Sequence, residues 1–193
     1  MIKKKESHVV FLLDQTGSME SCKKDTIGGF NNFLKEQKEK KGESLKFSLT
    51  LFNSAKVEKR YVGVDIQEVK KLDDKNYVPS NLTPLWDAVG NTIQEFPNDK
   101  DVFLIILTDG YENYSKEFKA DAVKRLITDK EKNFGWKCLY LGADIESFHD
   151  AQSMGVNLHF KVDKSNMRRA YASVSQSVSG YRDTGDVTYE DKK

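Results

Sequence analysis

The fold of this chain is constrained most strongly by two continuous apolar runs, HVVFLL at His8 to Leu13 and VFLIIL at Val102 to Leu107. Such runs are typical of strands that are buried on both faces of a parallel sheet. Segments with a helical spacing of apolar residues lie between and after them. Because strand and helix alternate, the sequence predicts crossover βαβ units and a doubly wound α/β fold. The helical segments carry Ile27, Phe30 and Leu34; Leu85, Val89, Ile93 and Phe96; and Phe118, Ala122 and Leu126.

Further segments complete the predicted sheet and its last helix. Leu45 to Phe52 and Lys56 to Val62 flank a short turn, which predicts an antiparallel hairpin at one edge. Trp136 to Leu141 reads as another strand, and the alternation from Val156 to Val162 predicts a strand near the other edge. Met167 to Tyr181 fits a final amphipathic helix. We therefore expect a single, mainly parallel sheet of about six strands, with one antiparallel edge strand and helices on both faces.

Length and composition set the domain organisation and exclude some partners. The chain has 193 residues, of which 38% are hydrophobic, enough for one α/β domain with a substantial core. We expect this domain to span residues 1–183 and the charged segment 184–193 to be a disordered tail. The net charge of +1 provides no overall field for nucleic acid or an anionic membrane. The sequence does not indicate an oligomeric state.

The pattern at the N-terminus of this sequence does not predict a targeting signal. Its apolar run from Val9 to Leu13 is five residues long, which is too short for a signal peptide or a membrane span. A cytoplasmic location is therefore expected.

The first buried strand is followed directly by a loop rich in oxygen ligands. Asp14, Thr16 and Ser18 occupy alternate positions around Gly17, which permits a tight backbone turn. In open α/β sheets, ligands bind beyond the carboxyl ends of the strands, which is where this loop lies. Mg²⁺ prefers six oxygen ligands and keeps several waters, so one carboxylate and two hydroxyls leave its coordination incomplete. The loop is therefore predicted to hold a cation that also takes ligands from elsewhere.

The run LLDQTGSM resembles the metal-ion-dependent adhesion site of von Willebrand factor A domains, whose usual form is Asp-x-Ser-x-Ser. Two further landmarks follow in the family's order, Thr83 in NLTPLWDAVG and Asp109 in IILTDGYEN. The resemblance covers residues 9–160 and implies a stand-alone domain of a type found in bacteria and their phages. Asn81 stands where many members carry Gly, which puts the conformation of the Thr83 loop in question.

The resemblance also implies a function. Asp14, Thr16 and Ser18 would bind Mg²⁺, with Mn²⁺ as the alternative ion; Thr83 would join or leave the coordination shell, and Asp109 would reach the metal directly or through water. A protein partner would supply a carboxylate to the remaining position, so the chain would be a binding module and not an enzyme. The residues placed to form a contact rim around this site are Gln15, Tyr111, Glu112 and Tyr114, while Trp86 is equally suited to packing inward.

Two other interpretations of the Asp14 loop stay open at this point. Asp14 is a favourable N-cap for a following helix, and Thr83-Pro84 reads as a cap followed by proline at the first helical position. Asp-x-Thr-Gly-Ser after a buried strand also resembles the phosphorylated-aspartate loop of haloacid-dehalogenase-like phosphotransferases. In that alternative Asp14 would be a nucleophile.

Overall fold

The predicted alternation of strands and helices is present in the computed structural model, which describes residues 7–42, 44–143 and 145–187. Six strands form one sheet: β1 (Ser7–Asp14), β2 (Leu45–Asn53), β3 (Lys56–Asp65), β4 (Val102–Thr108), β5 (Lys137–Gly142) and β6 (Leu158–Lys161). Five α-helices flank it: α1 (Lys23–Glu39), α2 (Leu85–Glu95), α3 (Ala120–Phe134), α4 (Ile145–Ser153) and α5 (Met167–Thr184). Short 3-10 helices span Gly17–Cys22, Ile66–Glu68 and Lys164–Asn166.

The strand order is β3-β2-β1-β4-β5-β6, with β2 and β3 antiparallel and every other pair parallel. This confirms the predicted fold class, with the hairpin at one edge and β6 at the other. Chain order reverses at β1, which pairs with β2 on one side and with β4 on the other. The gap between the carboxyl ends of β1 and β4 is therefore the switch point where ligands bind in such sheets.

Each central strand supplies both faces of the core, as the apolar runs predict. Phe11 and Leu13 of β1 join α1 and α5 in one buried cluster, whereas Val10 and Leu12 join α2, α3 and α4 in the other. Helices thus cover both faces of the sheet, and the switch point lies at the end of its most deeply buried strands. Among the described residues, no helix combines the length and apolarity needed to cross a membrane.

Glycine and serine allow close packing of α1 against α5 and of α2 against the segment at Phe118. A side chain at Gly29 of α1 would meet the ring of Tyr171 in α5 within 2.4 Å, and one at Gly90 of α2 would meet Phe118 within 2.6 Å. The serine-rich part of α5 packs on α1, where the Gln37 amide donates to the Ser175 carbonyl at 2.9 Å. The predicted last helix therefore forms, and its serines serve close helix packing.

Three details differ from expectation. Phe118 precedes α3 instead of lying in it, because the Asp87 carboxylate accepts hydrogen bonds from the backbone of this segment. Helix α4 was not predicted, since nine residues are marginal without tertiary packing. Helix α5 continues to Thr184 and the chain is described to Val187, which packs partly on the core. The remainder of the predicted tail, residues 188–193, and the N-terminal residues 1–6 lie outside the described residues.

Candidate metal centre

Two aspartates meet at the switch point because their strands are parallel neighbours. Asp14 is the last residue of β1, and Asp109 follows Thr108, the last residue of β4. Leu13 pairs with Leu107 in register, so Asp14 lies level with Thr108, and Asp109 lies one residue beyond it. Asp14 and Asp109 are both 0% exposed. The sheet register thus places two carboxylates at one buried edge.

The Asp14 carboxylate accepts a hydrogen bond on each oxygen. Its Oδ1 accepts from the backbone N–H of Thr16 at 2.6 Å, and its Oδ2 accepts from the Thr108 hydroxyl at 2.5 Å. The backbone carbonyl of Asp14 accepts from the hydroxyl of the buried Tyr77 at 2.7 Å. These contacts fix the orientation of the carboxylate before any ligand binds.

Two hydroxyls connect the first loop to Asp109. Oγ1 of Thr16 lies 3.1 Å from Oγ of Ser18, and the Ser18 hydroxyl donates to Oδ1 of Asp109 at 2.5 Å. The loop therefore crosses from β1 to β4 through its alternate hydroxyl positions. The Asp-x-Thr-x-Ser spacing therefore places both hydroxyls in one hydrogen-bonded chain that ends at Asp109.

Thr83 reaches the same cluster from the segment before α2. A side chain at Gly110 would lie 3.2 Å from Oγ1 of Thr83 and 3.3 Å from Oγ of Ser18, so both hydroxyls border Gly110. Asn113 holds this segment, since its side chain accepts from the Thr83 N–H at 2.8 Å and its own N–H donates to the Thr83 carbonyl at 3.1 Å. All five predicted ligand residues thus lie in one cluster.

Asn81 adopts the conformation that Gly would favour. Its φ is 66°, a left-handed value that Asn tolerates better than most residues. Its carbonyl accepts from the Gly17 N–H at 3.0 Å and so ties the Thr83 segment to the first loop. The departure from Gly at this position therefore leaves the loop conformation intact.

The two helix-cap interpretations are wrong. The cap position of α1 is Cys22 and that of the preceding 3-10 helix is Thr16, so Asp14 caps neither. For α2 the cap position is Pro84, with no side-chain hydrogen bond, so Thr83 does not cap it. Asp14 and Thr83 are occupied instead with the polar cluster at the sheet edge.

The electrostatics of the cluster favour a cation. Burial raises the pKa of Asp14 to about 7, with the Thr108 and Thr16 hydrogen bonds acting in the opposite direction and the charge of Asp109 adding to the rise. Oδ2 of Asp109 is buried and accepts no hydrogen bond from the described residues. Nζ of Lys164 lies 3.1 Å from that oxygen, close enough for an ion pair but not aligned for a hydrogen bond. Two buried carboxylates therefore face one ammonium.

The donor set fits a small divalent ion held jointly with a ligand from elsewhere. Adjacent ligands of an octahedral Mg²⁺ lie about 3 Å apart, because its bonds are about 2.1 Å long. The oxygen separation of 3.1 Å between Thr16 and Ser18 is close to that value, whereas the 2.5 Å between Ser18 and Asp109 is the shorter distance of a hydrogen bond. The described residues contain no group of three or more His, Cys, Asp or Glu side chains that would hold a metal. A metal bound here would therefore take hydroxyl ligands as well, which Mg²⁺ accepts more readily than softer metals do.

The residues predicted to form the contact rim differ in their exposure to solvent. Tyr111 and Tyr114 are 50% and 37% exposed, as contact with a partner requires. Gln15 is only 5% exposed, and its backbone is bonded between the end of β2 and the segment at Ser80. Its place in a contact rim stays a prediction. Glu112 is partly buried, and its carboxylate accepts from the backbone of Trp86 at 2.9 Å among other donors, so it braces the loop.

Three residues near the site were not predicted. The Thr108 hydroxyl donates a hydrogen bond to Asp14, and its position just before Asp109 was the one sequence signal for this role. Lys164 follows β6 and gave no local pattern linking it to Asp109. Leu82 is 48% exposed beside Thr83 and adds apolar surface. Trp86, in contrast, packs against the second core cluster.

Comparison with known proteins identifies the fold. No protein-family model and no curated protein sequence matches this chain. Among solved structures, proximal thread matrix protein 1 from the mussel byssus matches with a TM-score of 0.62 at 16% identity, covering 89% of this chain and 46% of that one. The PilB minor pilin from Streptococcus sanguinis matches with a TM-score of 0.61 at 12% identity, over 95% and 63% of the two chains.

A protein described as von Willebrand factor type A from Catenulispora acidiphila also matches, with a TM-score of 0.59 at 15% identity, over 91% of this chain and 43% of that one. The chain spans less than two thirds of the length of each of these proteins. The fold is therefore von Willebrand factor A-like, as the sequence motifs implied. At these identities the likeness concerns the fold alone.

Proposed function

We propose that this protein is a binding module that recognises an acidic side chain of a protein partner through a Mg²⁺-type ion. Asp14, Thr16 and Ser18 would hold the ion, with Thr83 and Asp109 directly or through water. When bound, the ion would supply the positive charge that attracts the partner's carboxylate. The observation that carries the proposal is the convergence of two fully buried carboxylates and three hydroxyls on one edge of the sheet.

Access to the cluster supports binding of a macromolecule. Asp14, Thr16, Thr83 and Asp109 are at most 3% exposed, whereas Ser18 is exposed. A ligand therefore approaches from the Ser18 side. Tyr111, Tyr114 and Leu82 are exposed nearby in the chain and offer apolar contact area.

The phosphotransferase alternative has less support. A nucleophilic aspartate must be reached by the phosphoryl group of a substrate, which is much larger than a metal ion. Asp14 is 0% exposed. Cytoplasmic location, bacterial or phage origin and the choice between Mg²⁺ and Mn²⁺ remain predictions from the sequence.

The metal site is tested by calorimetric titration of the purified protein with Mg²⁺ and Mn²⁺. Wild type should bind one ion, Asp14→Ala should bind none, and Glu20→Ala, which changes an exposed carboxylate in the adjacent 3-10 helix, should match wild type. Detectable binding with the same affinity for wild type and Asp14→Ala would contradict the proposal.

The acidic partner is tested separately. Immobilised protein would capture proteins from a bacterial extract in Mg²⁺ and in EDTA, with the Asp14→Ala variant as the control surface. We expect capture to require both Mg²⁺ and Asp14, and substitution of a single Asp or Glu of the captured protein to abolish it. Capture that survives every such substitution would contradict recognition of a carboxylate.

A further inference from the structure

Lys164 places an ammonium directly on the candidate metal centre. Its Nζ is 3.1 Å from Oδ2 of Asp109, and its side chain is 42% exposed while that of Asp109 is 0% exposed. Oδ2 is also the oxygen that accepts no hydrogen bond from the described residues. A partly exposed cation thus reaches a buried carboxylate at an oxygen that accepts no hydrogen bond from the described residues.

The fold holds the backbone of Lys164 beside the site. Lys164 begins the 3-10 helix between β6 and α5, and Asp163 fixes this turn by accepting from the N–H and the hydroxyl of Ser165 at 2.9 and 2.7 Å. This 3-10 helix contacts the one at Gly17–Cys22, which continues the first loop. The contact between the two turns brings a residue far along the chain to Asp109.

The charge balance gives Lys164 a defined consequence. When both aspartates are ionised, as they would be around a bound cation, Asp14, Asp109 and Lys164 together leave one negative charge. A divalent cation would convert this to one positive charge, and one carboxylate from outside would then neutralise it. Without Lys164, the divalent cation alone would neutralise the two aspartates, and an added carboxylate would leave an excess negative charge in a buried site.

We propose that Lys164 competes with the metal for the Asp109 carboxylate, so that the isolated protein holds the metal weakly and an anionic partner completes the loaded site. This inference rests on the proposed function. An ammonium and a metal ion that both contact the Asp109 carboxylate would repel each other, since like charges a few ångströms apart interact strongly away from bulk water. The partner's carboxylate offsets both charges, which couples metal binding to partner binding.

The Lys164 side chain has space to move away from Asp109. Lys164 lines a cavity of about 580 Å³ between β6 and α5, together with Ala143, Lys161 and Asn166. Its side chain can therefore leave Asp109 without rearrangement of the core. Lys161 carries the same charge in the same cavity, which makes it a matched control.

The test is calorimetric titration with Mg²⁺ of wild type, Lys164→Gln, Lys161→Gln and Lys164→Arg, with thermal unfolding of each in EDTA. Lys164→Gln should bind Mg²⁺ on the order of tenfold more tightly than wild type, because opposite charges at this range shift ionic equilibria by factors of ten or more. In EDTA it should unfold at a lower temperature, since Asp109 loses its counter-charge. Lys161→Gln and Lys164→Arg should resemble wild type.

Acetate provides a carboxylate probe in the same titration. Replacing chloride by acetate at equal ionic strength should increase the Mg²⁺ affinity of wild type more than that of Lys164→Gln. Equal or weaker Mg²⁺ binding by Lys164→Gln overturns the role of Lys164 and leaves the metal site standing, provided that wild type binds and Asp14→Ala does not. If wild type and all variants fail to bind, both proposals fall, whereas binding by Lys164→Gln alone supports both.

Discussion

Two pairs of carboxylates in this molecule accept hydrogen bonds from different kinds of donor. Glu112 and Asp87 brace the loop that leads to α3, and their oxygens accept mainly from backbone N–H groups. Asp14 and Asp109 are more deeply buried and face the hydroxyls of Thr108 and Ser18 and an ammonium. The first pair is locked mainly by the main chain. The second accepts one backbone N–H, from Thr16 to Asp14, and is otherwise held by side chains that can turn.

This difference separates a structural carboxylate from one available to a ligand. Backbone amides cannot withdraw without changing the fold, so Glu112 and Asp87 are committed to shaping the loop. A hydroxyl can rotate and become a ligand itself, since it carries both a donor and acceptor lone pairs. The contrast therefore predicts that the two pairs respond differently to the same chemical change.

Isosteric neutralisation of Asp14 gives the largest expected effect on metal binding. Asp14→Asn should lose at least about a hundredfold in Mg²⁺ affinity, because even residues that only orient a metal's ligands cost tenfold to a hundredfold. Without metal, its free energy of unfolding should stay within about 1 kcal/mol of wild type, since relief from burying a charge offsets a weakened hydrogen bond. Calorimetry and urea unfolding in EDTA measure the two quantities.

The matched change in the other pair is Glu112→Gln, which should lose about 2 kcal/mol of stability because its backbone donors lose a charged acceptor. The reverse pattern, with Asp14→Asn strongly destabilised in EDTA and Glu112→Gln neutral, would abolish the distinction between the two pairs.

Asp87→Ala should produce the largest loss of stability. Its carboxylate accepts from the N–H groups of Lys116, Glu117 and Phe118 at 2.7, 3.0 and 2.8 Å. Removing it should cost about 3 kcal/mol, as hydrogen bonds to a charged group are among the stronger ones. The Mg²⁺ affinity of the folded protein should remain that of wild type. Asp121→Ala, an exposed carboxylate in the first turn of α3, serves as control and should lose less than about 1 kcal/mol.

The pH dependence of stability tests the burial of Asp14. Because the pKa of Asp14 is raised from 3.8 to about 7 in the folded protein, the native state binds this proton more tightly than the unfolded chain. The stability from this group is complete below about pH 4 and is lost as pH rises through 7. In EDTA, wild type should therefore lose roughly 2 kcal/mol relative to Asp14→Asn between pH 5 and 8. Parallel curves for the two proteins would show that Asp14 does not titrate there.

Much of this site follows from local sequence. The apolar runs fix β1 and β4 as central strands, and parallel pairing then brings Asp14 and Asp109 to one edge. The burial of Gln15 could not be predicted locally, because the segment at Ser80, which donates to its carbonyl, lies far along the chain. Lys164 was missed for the same reason: only the packing of two 3-10 helices brings it to Asp109. What sequence periodicity cannot provide is contact between irregular segments.

Ser18→Ala gives the smallest and most specific of these effects. The Ser18 hydroxyl is the exposed member of the cluster and donates to Asp109, so its loss removes one candidate ligand while leaving both carboxylates. Mg²⁺ affinity should fall about tenfold, at the lower end of what ligand-orienting residues contribute. Ser21→Ala is the control, since the Ser21 hydroxyl donates to the Ser18 carbonyl at 3.0 Å without joining the cluster. If Ser18→Ala and Ser21→Ala have the same Mg²⁺ affinity, the Ser18 hydroxyl stabilises the loop and does not bind the ion.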